Sequence, residues 1–129
     1  MSTTKAAADP RISTIAMVSG AGSGGPTGLR GPALFICGGQ DTVVSCDSVG
    51  TAYRTVTSQP AMLMNNKTAD HGGWLYQNGA KGPDIFALTA WFRVQLMNDT
   101  ANRSYFYGAS CRLCTDNRLT VERNALMTQ

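Results

Sequence analysis

Short apolar blocks at three places in the chain form the clearest pattern in the sequence. They comprise residues 14–18, 33–37 and 61–64, and each is followed by serine, glycine or asparagine. The blocks are almost continuously apolar, without alternating polar positions, as is typical of strands buried on both faces of a parallel sheet. Pro32 and Pro60 directly precede the second and third blocks, where a strand tolerates proline. The pattern therefore predicts three parallel strands.

The segments between and after these blocks have apolar residues at helical spacing. This spacing predicts helices over residues 45–58 and 83–97, and residues 4–9 are typical of the last turn of a helix. Pro83 and Asp84 are favourable residues for the first turn of the second helix. Strands that alternate with helices predict an α/β fold, here three parallel strands with flanking helices.

A sheet of only three such strands would be incomplete. The block at residues 14–18 would form an open apolar edge, which single soluble domains avoid and which favours self-association. No repeat or linker divides the sequence. We therefore expect residues 1–129 to form a single partial domain, with residues 103–129 as a C-terminal tail.

The composition limits the partners and cofactors of the chain. Its 129 residues, 43% apolar and 15% charged, allow one domain with a buried core. The net charge is +3 and the basic residues are scattered, which argues against a nucleic-acid partner. No apolar run approaches the roughly 18 residues that a membrane helix needs. The single histidine excludes a multi-histidine metal site, and we predict no cofactor.

An aspartate follows the second apolar block in the sequence Gly38-Gly-Gln-Asp41. In open α/β sheets, functional groups lie beyond the carboxyl ends of the strands. The glycines would let the backbone turn sharply and direct the carboxylate along this edge. Alternatively, Asp41 caps the helix that begins near residue 45.

The only histidine follows the third block in the sequence Asp70-His-Gly-Gly73. By the same reasoning His71 should reach the carboxyl edge of the sheet, although a lone histidine is often structural. An aspartate after one strand and a histidine after the next is the chain order of the triad partners in α/β-hydrolases. In that chemistry the aspartate fixes the tautomer of the histidine, which removes the serine proton.

Taken together, residues 9–121 resemble the C-terminal half of an α/β-hydrolase of the dienelactone-hydrolase and polyester-hydrolase type, especially its secreted microbial and fungal members. The resemblance depends on the motifs already quoted, on the segment Asp9-Pro-Arg-Ile-Ser-Thr-Ile15, and on the tail Phe106-Tyr-Gly-Ala-Ser-Cys-Arg-Leu-Cys114. It implies a partial α/β-hydrolase fold that belongs to a carboxylic-ester hydrolase with a small-molecule ester substrate. It also implies that Asp41 is the triad acid and His71 the base.

The resemblance places the nucleophilic serine and the oxyanion donors upstream of this sequence. Ser23, in Ala21-Gly-Ser-Gly-Gly25, is a decoy, because the glycines and prolines that follow it are typical of a loop and an elbow serine needs a helix. We therefore expect a truncated chain that is inactive alone. The alternative is a non-catalytic binding module or pseudo-enzyme in which Trp74 and Tyr76 line a ligand cleft.

The four cysteines are expected to be structural or paired in disulfides, but their pairing cannot be read from the sequence. Cys111 and Cys114 form a Cys-x-x-Cys motif without the further ligands of a zinc site or the context of a redox motif. Asn66 begins one of several glycosylation sequons, which fit a secreted parent. The start of the chain has no apolar segment of the kind found in signal peptides, so the localisation stays open.

Overall fold

A computed structural model of the protein describes residues 3–20, 24–72 and 82–129. The described helices are α1 (Thr3–Ala6), α2 (Cys46–Arg54) and α3 (Pro83–Met97). The strands are β1 (Ile15–Val18), β2 (Ala33–Gly38), β3 (Ala61–Asn66) and β4 (Leu119–Arg123). Short 3₁₀ helices lie at Thr100–Tyr105, Leu113–Thr115 and Ala125–Met127. The result is an α/β fold in which helices flank a sheet.

The four described strands form one sheet in the order β1-β2-β3-β4. The three predicted strands are present and parallel, with Ile15 opposite Ala33 and Ala33 opposite Ala61. The prediction of a sheet of three parallel strands was nevertheless wrong, because β4 pairs antiparallel with β3 and makes the sheet mixed. In Leu119–Arg123, buried or half-buried positions alternate with exposed ones, as in a strand at the sheet edge, so this strand lacks the continuous apolar pattern of the other three.

Strand β2 lies in the interior of the sheet, and all six of its residues are buried. Its side chains alternate between the two faces, so each face receives its own apolar core. On one face Phe35 packs with α2, where Tyr53 meets it edge-on with ring centroids 6.0 Å apart. This core fixes the position of α2 and of the loop that connects it to β2.

The other face of the sheet is covered by α3 and the residues that follow it. Trp91 of α3 is fully buried, packs edge-on against Phe106, and donates a hydrogen bond from Nε1 to Thr14 Oγ1 at 3.0 Å. The buried residues contributed by the predicted C-terminal tail belong to the same core: Phe106, Tyr107, Cys111, Leu113, Leu119 and Met127. Residues 103–129 therefore complete the core around α3.

The helix boundaries follow from local hydrogen bonds. Ser45 caps α2 by accepting a hydrogen bond from the Ser48 amide. This helix ends four residues before the predicted end at residue 58, and Thr55 at its C-cap donates from Oγ1 to the Ala52 carbonyl at 2.7 Å. Pro83 occupies the first turn of α3. Among the described residues, no helix is long and apolar enough to cross a membrane.

Candidate functional site

The loops that follow β2 and β3 lie against each other at the carboxyl end of the sheet. The Gly39 amide donates to the Asn66 carbonyl at 2.8 Å, and the Gln40 amide donates to the Ala69 carbonyl at 2.9 Å. A Cβ atom added to Gly38 would lie 2.3 Å from the Ala69 carbonyl oxygen. Glycine is therefore required at this position because the two loops approach so closely.

Asp41 lies in the first of these loops, and its side chain is fully shielded from solvent. One carboxylate oxygen accepts hydrogen bonds from the Val43 and Val44 amides, each at 2.8 Å. Burial would raise the pKa of Asp41, but the hydrogen bonds from Val44, His71 and Val43 outweigh burial and hold this pKa below its ordinary value. The carboxyl group is therefore ionised at neutral pH.

His71 lies in the second loop, and its Nδ1 atom is 2.9 Å from the other oxygen of Asp41. An ionised carboxylate only accepts hydrogen bonds, so Nδ1 carries the proton and donates it to Asp41. The neutral imidazole then has its lone pair on Nε2. Because 47% of the His71 side chain is exposed, the ring remains accessible from solvent. The predicted proximity of Asp41 and His71 at one edge of the sheet is confirmed.

A buried polar contact joins the His71 loop to the start of α3. Asn66, the last residue of β3, donates from Nδ2 to Asp84 Oδ2 at 2.6 Å. Its own side-chain oxygen accepts from the Thr68 amide at 3.3 Å. Asn66 thus connects both site loops and α3, a role that the sequence analysis missed. The sequence feature that could have indicated this role is the position of Asn66 at the end of an apolar strand. Because Asn66 is buried, its side chain is inaccessible to glycosylation.

Asp84 is almost completely buried and has only one hydrogen-bond donor among the described residues. Its Oδ1 atom has no partner among them. Burial raises the pKa of Asp84 above its ordinary value, and the Asn66 hydrogen bond and the charge of Arg118 offset this only in part. The surroundings of Asp84 therefore favour its protonated form more than water does.

The four cysteines form two disulfides, in agreement with the expectation that they are structural or paired. Cys37, the penultimate residue of β2, is bonded to Cys46 at the start of α2, and Cys111 is bonded to Cys114. The first bridge joins the two ends of the loop that carries Asp41. In the chain-entropy model, closing a loop of this length stabilises the fold by about 3 kcal/mol. The covalent closure limits how far Asp41 can move from His71.

Several residues singled out in the sequence lie outside the described part of the chain. They are Ser23, the rejected nucleophile, and Trp74 and Tyr76, the predicted walls of a ligand cleft. Within residues 3–20, 24–72 and 82–129, no group of three or more histidine, cysteine, aspartate or glutamate side chains is arranged to hold a metal ion.

The chain matches no protein-family model and no curated protein.

Proposed function

We propose that Asp41 and His71 are the acid and base of a serine-hydrolase triad that cleaves carboxylic esters through an acyl-enzyme. The hydrogen bond of 2.9 Å between Asp41 and His71 Nδ1 is the observation that carries the proposal. It joins a buried carboxylate to a half-exposed imidazole. A structural histidine in the core would instead have both ring nitrogens occupied and little exposed surface.

The chemistry of the pair follows from the tautomer that Asp41 imposes. With the proton on Nδ1, the lone pair of Nε2 can remove the proton of a serine hydroxyl as that oxygen attacks an ester carbonyl. The imidazolium that forms is stabilised by the adjacent carboxylate, which stays ionised. His71 then donates the same proton to the leaving alcohol, and a second cycle with water releases the acid.

The nucleophile in this proposal is supplied by a segment outside the 129-residue sequence. None of the serines in the described residues has a hydrogen bond to His71, whose Nδ1 atom is bonded to Asp41. The backbone donors that would stabilise the oxyanion are assigned to the same outside segment, in keeping with the resemblance to α/β-hydrolases.

The experiment compares this chain with the protein obtained by extending its reading frame upstream of the Met1 codon. We expect the extended protein to hydrolyse a short-chain nitrophenyl ester and to be labelled by a fluorophosphonate, whereas the 129-residue chain does neither. His71→Ala should abolish turnover, and Asp41→Asn should lower it by roughly 10⁴-fold because the imidazole adopts the wrong tautomer.

Asp47→Asn is the matched control, because Asp47 is exposed at the start of α2 and its carboxylate accepts no hydrogen bond from the described residues. It should leave turnover unchanged. Turnover that persists in His71→Ala would refute the triad. If the 129-residue chain is itself labelled, Ser23→Ala, with Ser19→Ala as its control, decides whether Ser23 is the nucleophile after all.

A further inference from the structure

A cleft on the α3 side of the sheet has a chemistry unlike that of the Asp41–His71 pair. It lies between the start of α3 and the segment that leads into β4, and its volume is about 330 Å³. This volume is at the lower end of the range of pockets that bind small molecules. The described residues that line it are Pro83, Phe86, Tyr105, Arg112, Leu113, Asp116 and Arg118.

One wall of the cleft is aromatic. Phe86 and Tyr105 meet edge-on with ring centroids 4.7 Å apart, and Phe86 remains 39% exposed. Leu113 adds a buried apolar surface to the lining. Together these side chains form a wall against which a flat apolar group of a ligand could pack.

The cleft also contains a cation that none of the described carboxylates neutralises. The Arg112 guanidinium lies over the Tyr105 ring, 4.2 Å from its centroid, and has no ion pair or side-chain hydrogen bond with any residue in the described ranges. A stacked guanidinium keeps the N–H donors in its plane available, and two parallel donors match the geometry of a carboxylate.

The acidic groups around the cleft are already engaged. Asp116 accepts two hydrogen bonds from the Arg118 guanidinium, at 3.0 Å from Nε and 2.6 Å from a terminal nitrogen, so these two charges cancel each other. Asp84 lies next to Pro83 but is buried and hydrogen-bonded to Asn66. The positive charge of Arg112 is therefore left for a ligand.

We propose that this cleft binds a small aromatic carboxylate, with the ring packed against Phe86 and Tyr105 and the carboxylate paired with Arg112. The aromatic wall is the reason for proposing a flat aromatic ring in the ligand. The Arg112 guanidinium, which is unpaired among the described residues, is the reason for proposing an anionic group. This assignment does not depend on the proposed hydrolase function, because no residue of the Asp41–His71 pair lines the cleft.

Benzoate is the probe, and ligand-observed NMR with a titration gives its affinity for the 129-residue chain. We expect saturable binding of benzoate, and at least about tenfold weaker binding of benzamide, which has the same ring and no charge. Arg112→Gln should weaken benzoate binding by a similar factor, and Phe86→Ala should weaken both probes. Circular dichroism checks that each variant keeps the fold.

Arg103→Gln is the matched control. Arg103 stacks on Tyr107 at 4.0 Å in the same manner as Arg112 on Tyr105, but it does not line the cleft. Its loss should leave benzoate binding unchanged. The proposal is overturned if benzoate does not bind at millimolar concentration, if benzamide binds equally well, or if Arg103→Gln weakens binding as much as Arg112→Gln.

Discussion

Asp41 and Asp84 are two carboxyl groups buried near the same end of the sheet, yet their surroundings shift their pKa values in opposite directions. Asp41 follows β2, and Asp84 begins α3 beside the last residue of β3. Among the described residues, neither forms an ion pair with a lysine or arginine. The pKa of Asp41 is lowered, whereas that of Asp84 is raised.

The number of hydrogen-bond donors explains this difference. Burial raises the pKa of both groups because it disfavours a charge. Asp41 receives two backbone amides and His71 Nδ1, which together outweigh burial. Asp84 accepts one hydrogen bond, from the side-chain amide of Asn66, and its second oxygen has no partner among the described residues. Of these two buried carboxyl groups, the one that accepts hydrogen bonds from backbone amides of its loop has the lowered pKa, and the one without such amides has the raised pKa.

The largest effect is expected from a substitution at Gly38, where the loop that carries Asp41 closely approaches the loop that follows β3. In Gly38→Ala the new Cβ would overlap the Ala69 carbonyl, so the two loops must separate. We expect a loss of about 3 kcal/mol in the free energy of unfolding, measured by urea titration. The Nδ1 proton signal of His71, observed by NMR, should also lose its hydrogen-bonded shift.

Gly50→Ala is the control for that substitution. Gly50 lies within α2, and its added Cβ would meet the flexible end of the Arg54 side chain at 3.1 Å. Alanine is the better helix former, so this variant should gain up to about 1 kcal/mol. An equal loss of stability in both variants would contradict the role assigned to the loop contact.

The next effect concerns the charge of Asp41 itself. Because its folded pKa lies below the ordinary value of 3.8, its ionised form contributes stability above that value, and the contribution is lost as pH falls through the folded pKa. Asp41→Asn should therefore be less stable than the parent by about 1–3 kcal/mol at neutral pH, and the two curves should converge in acid. Urea titrations across this pH range measure the difference, and a difference that is constant with pH would contradict the assignment.

The three parallel strands could be predicted because burial on both faces leaves a nearly continuous apolar run. The edge strand β4 could not, because only Leu119 among its residues is fully buried and its polar positions match those of a surface segment. The boundary of α2 at Arg54 was also missed, since the apolar spacing continues to Val56 after the helix has ended.

The contact between Asp41 and His71 could be predicted from topology. Parallel neighbouring strands bring their carboxyl ends to one edge of a sheet, so residues that follow them meet. The hydrogen bond between Asn66 and Asp84 spans 18 positions and depends on how α3 packs, which residue spacing does not encode. The disulfide partner of Cys37 was likewise open, because the choice among four cysteines depends on the folded backbone. The catalytic role of the pair stays a prediction.

The smallest effect, and the sharpest test of the comparison, is expected from Asp84→Asn. The raised folded pKa of Asp84 means that its contribution to stability is present below 3.8 and is lost as pH rises through the folded pKa. An asparagine oxygen can still accept the hydrogen bond from Asn66, while its amide nitrogen would take the position of the unpartnered Oδ1. The variant should therefore resemble the parent in acid and become more stable than the parent at neutral pH, by about 1 kcal/mol or less.

Relative to the parent, the stabilities of Asp41→Asn and Asp84→Asn should thus change with pH in opposite directions. Asp47→Asn is the reference for an exposed carboxylate. Slopes of the same sign would mean that burial, and not the number of donors, sets the charge of both groups.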